Sequence, residues 1–182
     1  MNNPFLISKN VYLRPLEKED ADTFVSWIED WELVKNIPQR FRFPFNTAKE
    51  KEHINNLYKS SDNIVLAIIY KSEEKFIGTT GFGDINPVNR TAVFGLVIGD
   101  KNYRNKGLGT EILNLMLKYG FNILNFNRIY LEVNADNIPA IKLYEKAGFK
   151  IEGCLRQDYY FDGEYKDKLI MGILKGEFRN SE

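Results

Sequence analysis

The hydrophobic period changes repeatedly along this chain, and each change predicts an element. Val11-Tyr12-Leu13-Arg14-Pro15-Leu16 alternates as a strand does, and Glu19 to Glu29, with Phe24, Val25, Trp27 and Ile28 apolar, predicts a first helix. Pro38 closes that region. Phe41-Arg42-Phe43-Pro44-Phe45 predicts an aromatic loop, followed by Asn46 or Thr47 as N-cap of a helix carrying Ile54, Leu57 and Tyr58. Ile64 to Tyr70 is a continuous apolar run of strand length, and Lys75 to Gly81 makes its hairpin partner across a turn at Ser72-Glu73-Glu74. Asn86-Pro87-Val88-Asn89 breaks the chain before Thr91 to Ile98, an apolar strand containing Gly95.

From Gly107 the period lengthens: Leu108, Ile112, Leu115, Tyr119 and Ile123 recur at three and four residues and describe a helix of about 18 positions. Arg128 to Val133 is again strand-like. Ile138, Ile141, Leu143, Tyr144 and Ala147 suit a short helix stopped at Gly148, and two further strands follow, from Phe149 onward and over Glu164 to Leu174. No repeat, low-complexity tract or linker interrupts the pattern, so residues 1–182 are expected to form a single domain.

Composition narrows the function classes. The chain has 182 residues, 43% of them hydrophobic, which is enough for a substantial core within the usual size of one domain. Lys+Arg and Asp+Glu number 25 each, so no whole-molecule field draws in nucleic acid or an anionic membrane; neither is expected as a partner, and charge selectivity must be local. One cysteine, Cys154, forms no internal disulfide, and one histidine, His53, leaves no cluster with metal-ligand spacing, so a reducing, cytoplasmic setting without a metal is expected. Met1 to Ser8 lacks the charged and apolar regions of a secretory signal. The apolar run Leu113 to Leu117 is interrupted by Asn114 and followed by Lys118, far short of the roughly 20 residues of a spanning helix.

The chemistry concentrates between the strand ending at Ile98 and the helix opening near Gly107, in Gly99-Asp100-Lys101-Asn102-Tyr103-Arg104-Asn105-Lys106-Gly107-Leu108-Gly109-Thr110. Glycines at 107 and 109 let backbone approach a ligand closely, and the unpaired N–H groups of a helix start present roughly half a positive charge to an anion. Arg104 and Lys106 add side-chain charge. The spacing fits neither the P-loop, which needs Gly-Lys-Ser/Thr, nor the Gly-x-Gly-x-x-Gly dinucleotide loop.

Arg104-Asn105-Lys106-Gly107-Leu108-Gly109 resembles the Arg/Gln-x-x-Gly-x-Gly/Ala loop with which GNAT N-acetyltransferases hold the pyrophosphate of coenzyme A. A second segment, Leu131 to Phe149, resembles that superfamily's C-terminal motif, a strand followed by Asn-x-x-Ala-x-x-Leu-Tyr-Glu-Lys-x-Gly-Phe. The resemblance runs from Leu13-Arg14-Pro15-Leu16 to Met171-Gly172-Ile173-Leu174. Its closest form is the branch of RimJ/RimL-type ribosomal-protein N-terminal acetyltransferases and spermidine acetyltransferases, through Glu152-Gly153-Cys154-Leu155-Arg156 and Asp162 to Asp167.

The resemblance implies an α+β, three-layer fold: a mixed, mostly antiparallel twisted sheet of about seven strands, helices on both faces, and a V-shaped splay between the fourth and fifth strands. It implies acetyl-CoA as co-substrate and direct transfer of the acetyl group to a primary amine in a ternary complex. The strand ending at Val97-Ile98-Gly99 is expected to carry a bulge, with Val97 and Gly99 pairing with the pantetheine amides and an Ile98 N–H polarising the thioester carbonyl. Residues 104 to 110, that is Arg104, Asn105, Lys106, Gly107, Leu108, Gly109 and Thr110, are expected to take the phosphates.

An alkylamine is mostly ammonium at pH 7, so attack needs a base. Glu132 matches the glutamate assigned that role in some N-terminal acetyltransferases, working through water; the other reading is a surface carboxylate paired with Lys or Arg, and the sequence leaves both open. Tyr144 matches the family tyrosine placed beside the leaving sulfur, and is expected to return a proton to the thiolate. Asn137 binds the pantetheine arm, caps its helix, or does both. Cys154 and His53 receive no catalytic role.

Four kinds of acceptor stand at this point, with an acyl-CoA sensor without turnover as a different class. Glu29, Asp30 and Glu32 suit a polyamine; Gln39-Arg40-Phe41-Arg42-Phe43-Pro44-Phe45 is basic and aromatic where an acidic cradle belongs, and favours a peptide N-terminus, an amino acid or an amino sugar. Monomer and homodimer are both compatible with the sequence.

Overall fold

A computed structural model describes residues 3–179, except the side chains of Gln39 and Arg40, so Met1, Asn2 and the Arg40 side chain named above lie outside the described residues. The strands are β1 (Leu6–Ile7), β2 (Val11–Pro15), β3 (Ile64–Tyr70), β4 (Lys75–Asn86), β5 (Thr91–Ile98), β6 (Arg128–Asn134), β7 (Lys150–Phe161) and β8 (Glu164–Leu174). The helices are α1 (Asp20–Trp27), α2 (Trp31–Val34), α3 (Thr47–Leu57), α4 (Leu108–Lys118) and α5 (Ile138–Lys146). One sheet holds all eight strands in the order β1-β2-β3-β4-β5-β6-β8-β7; β5 and β6 are parallel and every other neighbouring pair is antiparallel. The strand beyond the expected seven is β1, which pairs Leu6 and Ile7 with Leu13 and Tyr12.

Both faces of the central strands are covered, which is why they read as continuous apolar runs. Val11, Leu13, Leu66 and Ile68 point to one face and pack with Ile112, Leu113, Met116 and Leu117 of α4. Their neighbours Tyr12, Ala67 and Ile69 point to the other and meet Phe24 and Trp27 of α1 and Ile54 of α3. The buried Arg14 guanidinium donates two bonds of 2.7 Å to Asp20, tying β2 to the first turn of α1. Asn46 caps α3, accepting from Lys49 N at 3.0 Å. The long amphipathic stretch runs as α4 and then one π turn over Tyr119–Ile123, where Leu124 N donates to Tyr119 O.

Two short helical pieces stand where the sequence predicts only loop. Asp30 caps α2, accepting from Glu32 N at 3.1 Å, and a 3-10 turn spans Gln39–Arg42. Trp31, at the start of α2, is 61% exposed, and the helix buries only Leu33 and Val34 within its four residues, too short a stretch for a periodicity to show.

β5 and β6 pair only at Thr91–Arg128, Ala92–Ile129 and Val93–Tyr130. Beyond Val93 each follows its other neighbour: β5 stays on β4 as far as Gly78–Ile98, and β6 stays on β8 as far as Asn134–Lys168. This is the expected splay. The β4–β5 register is even from Gly83–Val93 to Gly78–Ile98, and the expected bulge stands just beyond it, where Gly99 N and Asp100 N both donate to Ile77 O, at 2.9 and 3.2 Å. An antiparallel partner outside each strand holds the two apart.

Candidate active site

A cleft of about 1490 Å³ follows the splay, walled by β5, β6 and the facing sides of α4 and α5, and continuing between the segment Glu32 to Phe43 and the β7–β8 hairpin. At one end lies the turn into α4. Asn105 and Gly107 take left-handed backbone conformations, with φ of 60° and 78°. Successive residues of alternating hand turn their amides into one concavity, a ready cradle for an anion. Among the described residues, the amides of Asn105, Lys106, Gly107, Leu108 and Gly109 donate no hydrogen bond, whereas Thr110 N already donates to Gly107 O at 3.1 Å. Lys142 and Lys146 of α5 line the same cleft. The donor set therefore fits the phosphate-bearing end of coenzyme A.

The side chains around this turn divide their work. Arg104, expected to add charge to the cradle, turns back instead: Nε donates to Ile98 O at 2.9 Å, one terminal nitrogen to Gly99 O at 2.7 Å, and the other pairs with Asp30 at 2.9 Å. Burial is the largest single influence on the Asp30 carboxyl and pushes it up, but the Arg104 pairing and the Leu33 and Glu32 amides together outweigh it and hold the group below the usual carboxylate range. The Lys106 ammonium lies 5.2 Å from the Tyr103 ring centroid. The Leu108 side chain is buried in the core. A Cβ on Gly109 would press on Leu143 of α5 at 3.3 Å, so that glycine serves helix packing.

Along β5 the hydrogen-bond alternation decides which backbone groups are open. Gly99 N donates to Ile77 O at 2.9 Å, and a Cβ on Gly99 would overlap the Trp27 indole. In an antiparallel ladder every second residue turns both its polar groups to the same neighbour. Counting back from Gly99, Val97 and Gly95 face β4, while Leu96 and Ile98 face the gap; Gly95 O also takes a bond from Thr80 Oγ1 of β4 at 2.8 Å. The expected pairing through Val97 and Gly99 thus shifts by one residue, to Leu96 and Ile98, because the even register spends the other two on β4.

Tyr144 stands on α5 inside the cleft wall, 8% exposed, packed on Phe149 and Phe94 with ring centroids 5.6 and 6.3 Å away. Its hydroxyl has no hydrogen-bond partner among the described residues, and burial pushes its pKa up to about 12. Glu132 lies on the opposite wall. The period of two along β6 sends Leu131 and Val133 into the core and puts Glu132 on the cleft face, where its carboxylate meets Lys168 at 3.4 Å. Both readings of Glu132 survive this arrangement: it is paired, and it lines the cleft.

Asn137 caps α5, accepting from Ala140 N at 3.3 Å, and its Nδ2 donates to Asn36 Oδ1 at 3.2 Å. Asn134 donates to Lys35 O at 2.8 Å and to the same Asn36 Oδ1 at 3.2 Å. Sequence reasoning missed this tie, and also the charges of the acceptor end. Lys168 bridges Glu132 and Asp158, the latter at 2.7 Å, and Asp136 accepts from the Tyr159 hydroxyl at 2.9 Å and pairs with Lys166 at 3.3 Å. Only the alternation of Glu132 and Asn134 along β6 signalled that face. Cys154 and His53 do not line the cleft.

The family model described as acetyltransferase (GNAT) domain matches residues 10–150. An uncharacterized N-acetyltransferase of Bacillus licheniformis is 33% identical over 95% of this chain and 97% of its own. The crystal structure of spermidine N-acetyltransferase from Vibrio cholerae in complex with CoA and spermine has a TM-score of 0.84 at 27% identity, covering 93% of this chain and 98% of that one. A dodecameric structure of the same enzyme has a TM-score of 0.81 at 28% identity, covering 96% and 100%. A parallel pair that parts after three residues, an anion cradle opening the following helix, and a match over most of the chain agree: the chain belongs to the GNAT acetyltransferase family and transfers an acetyl group from acetyl-CoA to an amine.

Proposed function

We propose that the acceptor is a primary amine on a body that is not a polycation: a peptide N-terminus, an amino acid or an amino sugar. One observation carries this reading. The carboxylates lining the acceptor end are Glu32, Glu132, Asp136 and Asp158, and each is already held by a cation of the chain: Lys35 at 2.8 Å, Lys168 for both Glu132 and Asp158, and Lys166. Arg42 adds a fourth cation to the same wall. With every one of these carboxylates already paired inside the chain, none is free to hold a second ammonium, which a polyamine cradle needs.

Bound acetyl-CoA supplies the thioester carbon that accepts the amine and the sulfur that leaves. The amides of Asn105 to Gly109 hold its phosphates, and the Leu96 groups that face the gap orient its arm, with Ile98 N–H polarising the carbonyl while Ile98 O stays with Arg104. Glu132 takes a proton from the ammonium through water, which frees the lone pair for attack. The N–C bond forms, the nitrogen's second proton and the one held by Glu132 pass to solvent water, and the C–S bond breaks. Tyr144, neutral at pH 7, gives its proton to the sulfur and recovers one from solvent.

A second reading, a polyamine acceptor, is favoured by the likeness to spermidine N-acetyltransferases, and it requires the acceptor's ammonium groups to displace Lys168 from Glu132 and Asp158. Thiol release on a panel of amino acids, short peptides, amino sugars and spermidine separates the two. The first reading expects kcat/KM for spermidine at least about tenfold below the best monoamine; spermidine as the best acceptor overturns it. We further propose one catalytic domain working in the cytoplasm, where a reduced Cys154 is stable. The dodecameric relative sets larger assemblies beside monomer and homodimer; edge strand β7, with Ile151 exposed, is the surface on which copies would meet.

A further inference from the structure

Among the described residues, Arg42 is the one charged side chain of the acceptor wall that meets no opposite charge. Its two terminal nitrogens donate to Tyr160 O at 2.9 Å and Lys35 O at 3.3 Å, both neutral carbonyls, and its Nε is buried without a partner. The guanidinium stands 5.3 Å from the Phe161 ring centroid and 5.8 Å from that of Tyr159. Arg14, Arg104 and Arg128 each meet a carboxylate; among the described residues none pairs with Arg42, although Asp136 and Asp158 line the same cleft.

A guanidinium has five N–H donors, so three of these remain unspent. Aromatic faces answer part of the charge of a desolvated cation and fix its plane, and a fixed planar fork suits an oxyanion. A residue needed only to strap the Gln39–Arg42 turn to the hairpin would not require a full positive charge. We propose that Arg42 recognises an anionic oxygen group, a carboxylate or a phosphate ester, carried by the acceptor a few bonds from the reacting amine. This rests on the monoamine reading above and narrows it to acceptors that bear one negative group: an amino acid or the end of a short peptide if the group is a carboxylate, a phosphorylated amino sugar if it is a phosphate.

The test uses matched acceptors on the full chain with acetyl-CoA: amino acids against their carboxamides, and a hexosamine against its 6-phosphate. The expected result is a kcat/KM ratio of anionic over neutral partner of at least about tenfold in one pair, falling to near one in Arg42→Met. Which pair shows the ratio identifies the oxyanion. A ratio near one in the unmodified chain overturns the proposal, and so does a ratio that survives Arg42→Met while both absolute rates fall, since that assigns Arg42 to holding the fold. Calorimetric binding of the same pairs to the CoA-saturated protein is the second measurement. If no monoamine is turned over but the anionic partner binds more tightly in an Arg42-dependent way, the monoamine reading falls and the role of Arg42 stands; turnover of neutral and anionic partners alike does the reverse.

Discussion

Replacing Tyr144 by Phe removes one hydroxyl from a wall that otherwise keeps its shape, and the structure sets the size of the effect. Burial pushes the phenol up to about 12. A leaving thiolate with the proton affinity of a cysteine, near 8.5, lies about 3.5 units lower, so complete proton transfer ahead of C–S cleavage would cost about 5 kcal/mol. An unperturbed phenol near 10 would make that step uphill by only about 2 kcal/mol. Transfer must therefore track the charge as it develops on sulfur, and its contribution belongs at the low end of general-acid catalysis. We expect kcat to fall about 10²-fold. The hydroxyl donates to no described residue and the contacts with Phe94 and Phe149 survive, so the unfolding free energy should stay within about 0.5 kcal/mol and KM for acetyl-CoA within about twofold. Steady-state thiol release and a urea melt read both quantities. A kcat within threefold of the original would make Tyr144 a packing residue; a fall in kcat accompanied by lost stability would refute the claim that the hydroxyl is free.

Two further outcomes follow from backbone and burial. Gly107→Val should weaken CoA binding by more than about tenfold in a calorimetric titration while the protein stays folded: no atom lies within 4 Å of the added Cβ, but φ of 78° strains any branched residue by about 1–2 kcal/mol and turns the amides away. Gly107→Asn, which tolerates that region, should lose less, and full affinity in the Val variant would mean the phosphates bind elsewhere. Stability should decline above pH 10, because burial pushes both Tyr144 and Tyr159 up to about 12, the latter also through Asp136. The unfolded chain gives up these protons near pH 10 and the folded chain keeps them, so for Tyr144 roughly 2.7 kcal/mol is present below pH 10 and lost as pH rises to 12, with Tyr159 adding a smaller loss in the same direction. Urea unfolding from pH 9 to 11.5 should show that limb, shallower in Tyr144→Phe; an unaltered slope would contradict the burial argument.

Where local pattern and tertiary environment demand the same thing, the sequence was legible. β3 and β5 fall on Ile64–Tyr70 and Thr91–Ile98 as read, because strands covered on both faces are apolar at every step. The Asn46 and Asn137 caps were legible because each is a side chain that satisfies a backbone group within one turn, and the opening of α4 because a glycine stands where the backbone turns left-handed. What stayed hidden depends on partners far along the chain. Hydrogen-bond phase along β5 is set by Gly99 meeting Ile77, and no hydrophobic pattern records which of two alternating residues turns inward, so Val97 and Gly99 were read where Leu96 and Ile98 stand. Arg104 reads as a phosphate ligand until Asp30, 74 positions earlier, is seen to claim it. Tyr144 and Glu132 were placed by their motif; their burial, free hydroxyl and lysine partner come only from the fold.

The same long-range ties complete the course of the acceptor wall. Asp30 to Arg42 holds two short turns of helix and buries Leu33, Val34, Ile37 and Phe41 with Phe24, Trp27 and Ile54, while hydrogen bonds and an ion pair fix its polar side. Each anchor lands on a different part of the cofactor half: Asp30 on Arg104 at the cradle, Lys35 and Asn36 on Asn134 and Asn137 where β6 turns into α5, and Arg42 on Tyr160 at the hairpin. The wall is thus held by the pieces that build the splay, and most anchors are polar atoms whose removal costs a bond without opening a cavity. Substitutions at these anchors should therefore shift acceptor KM and selectivity before they shift melting temperature. Buried Arg14 and Asp20, by contrast, join β2 to α1 away from the cleft, and breaking that pair should lower stability first.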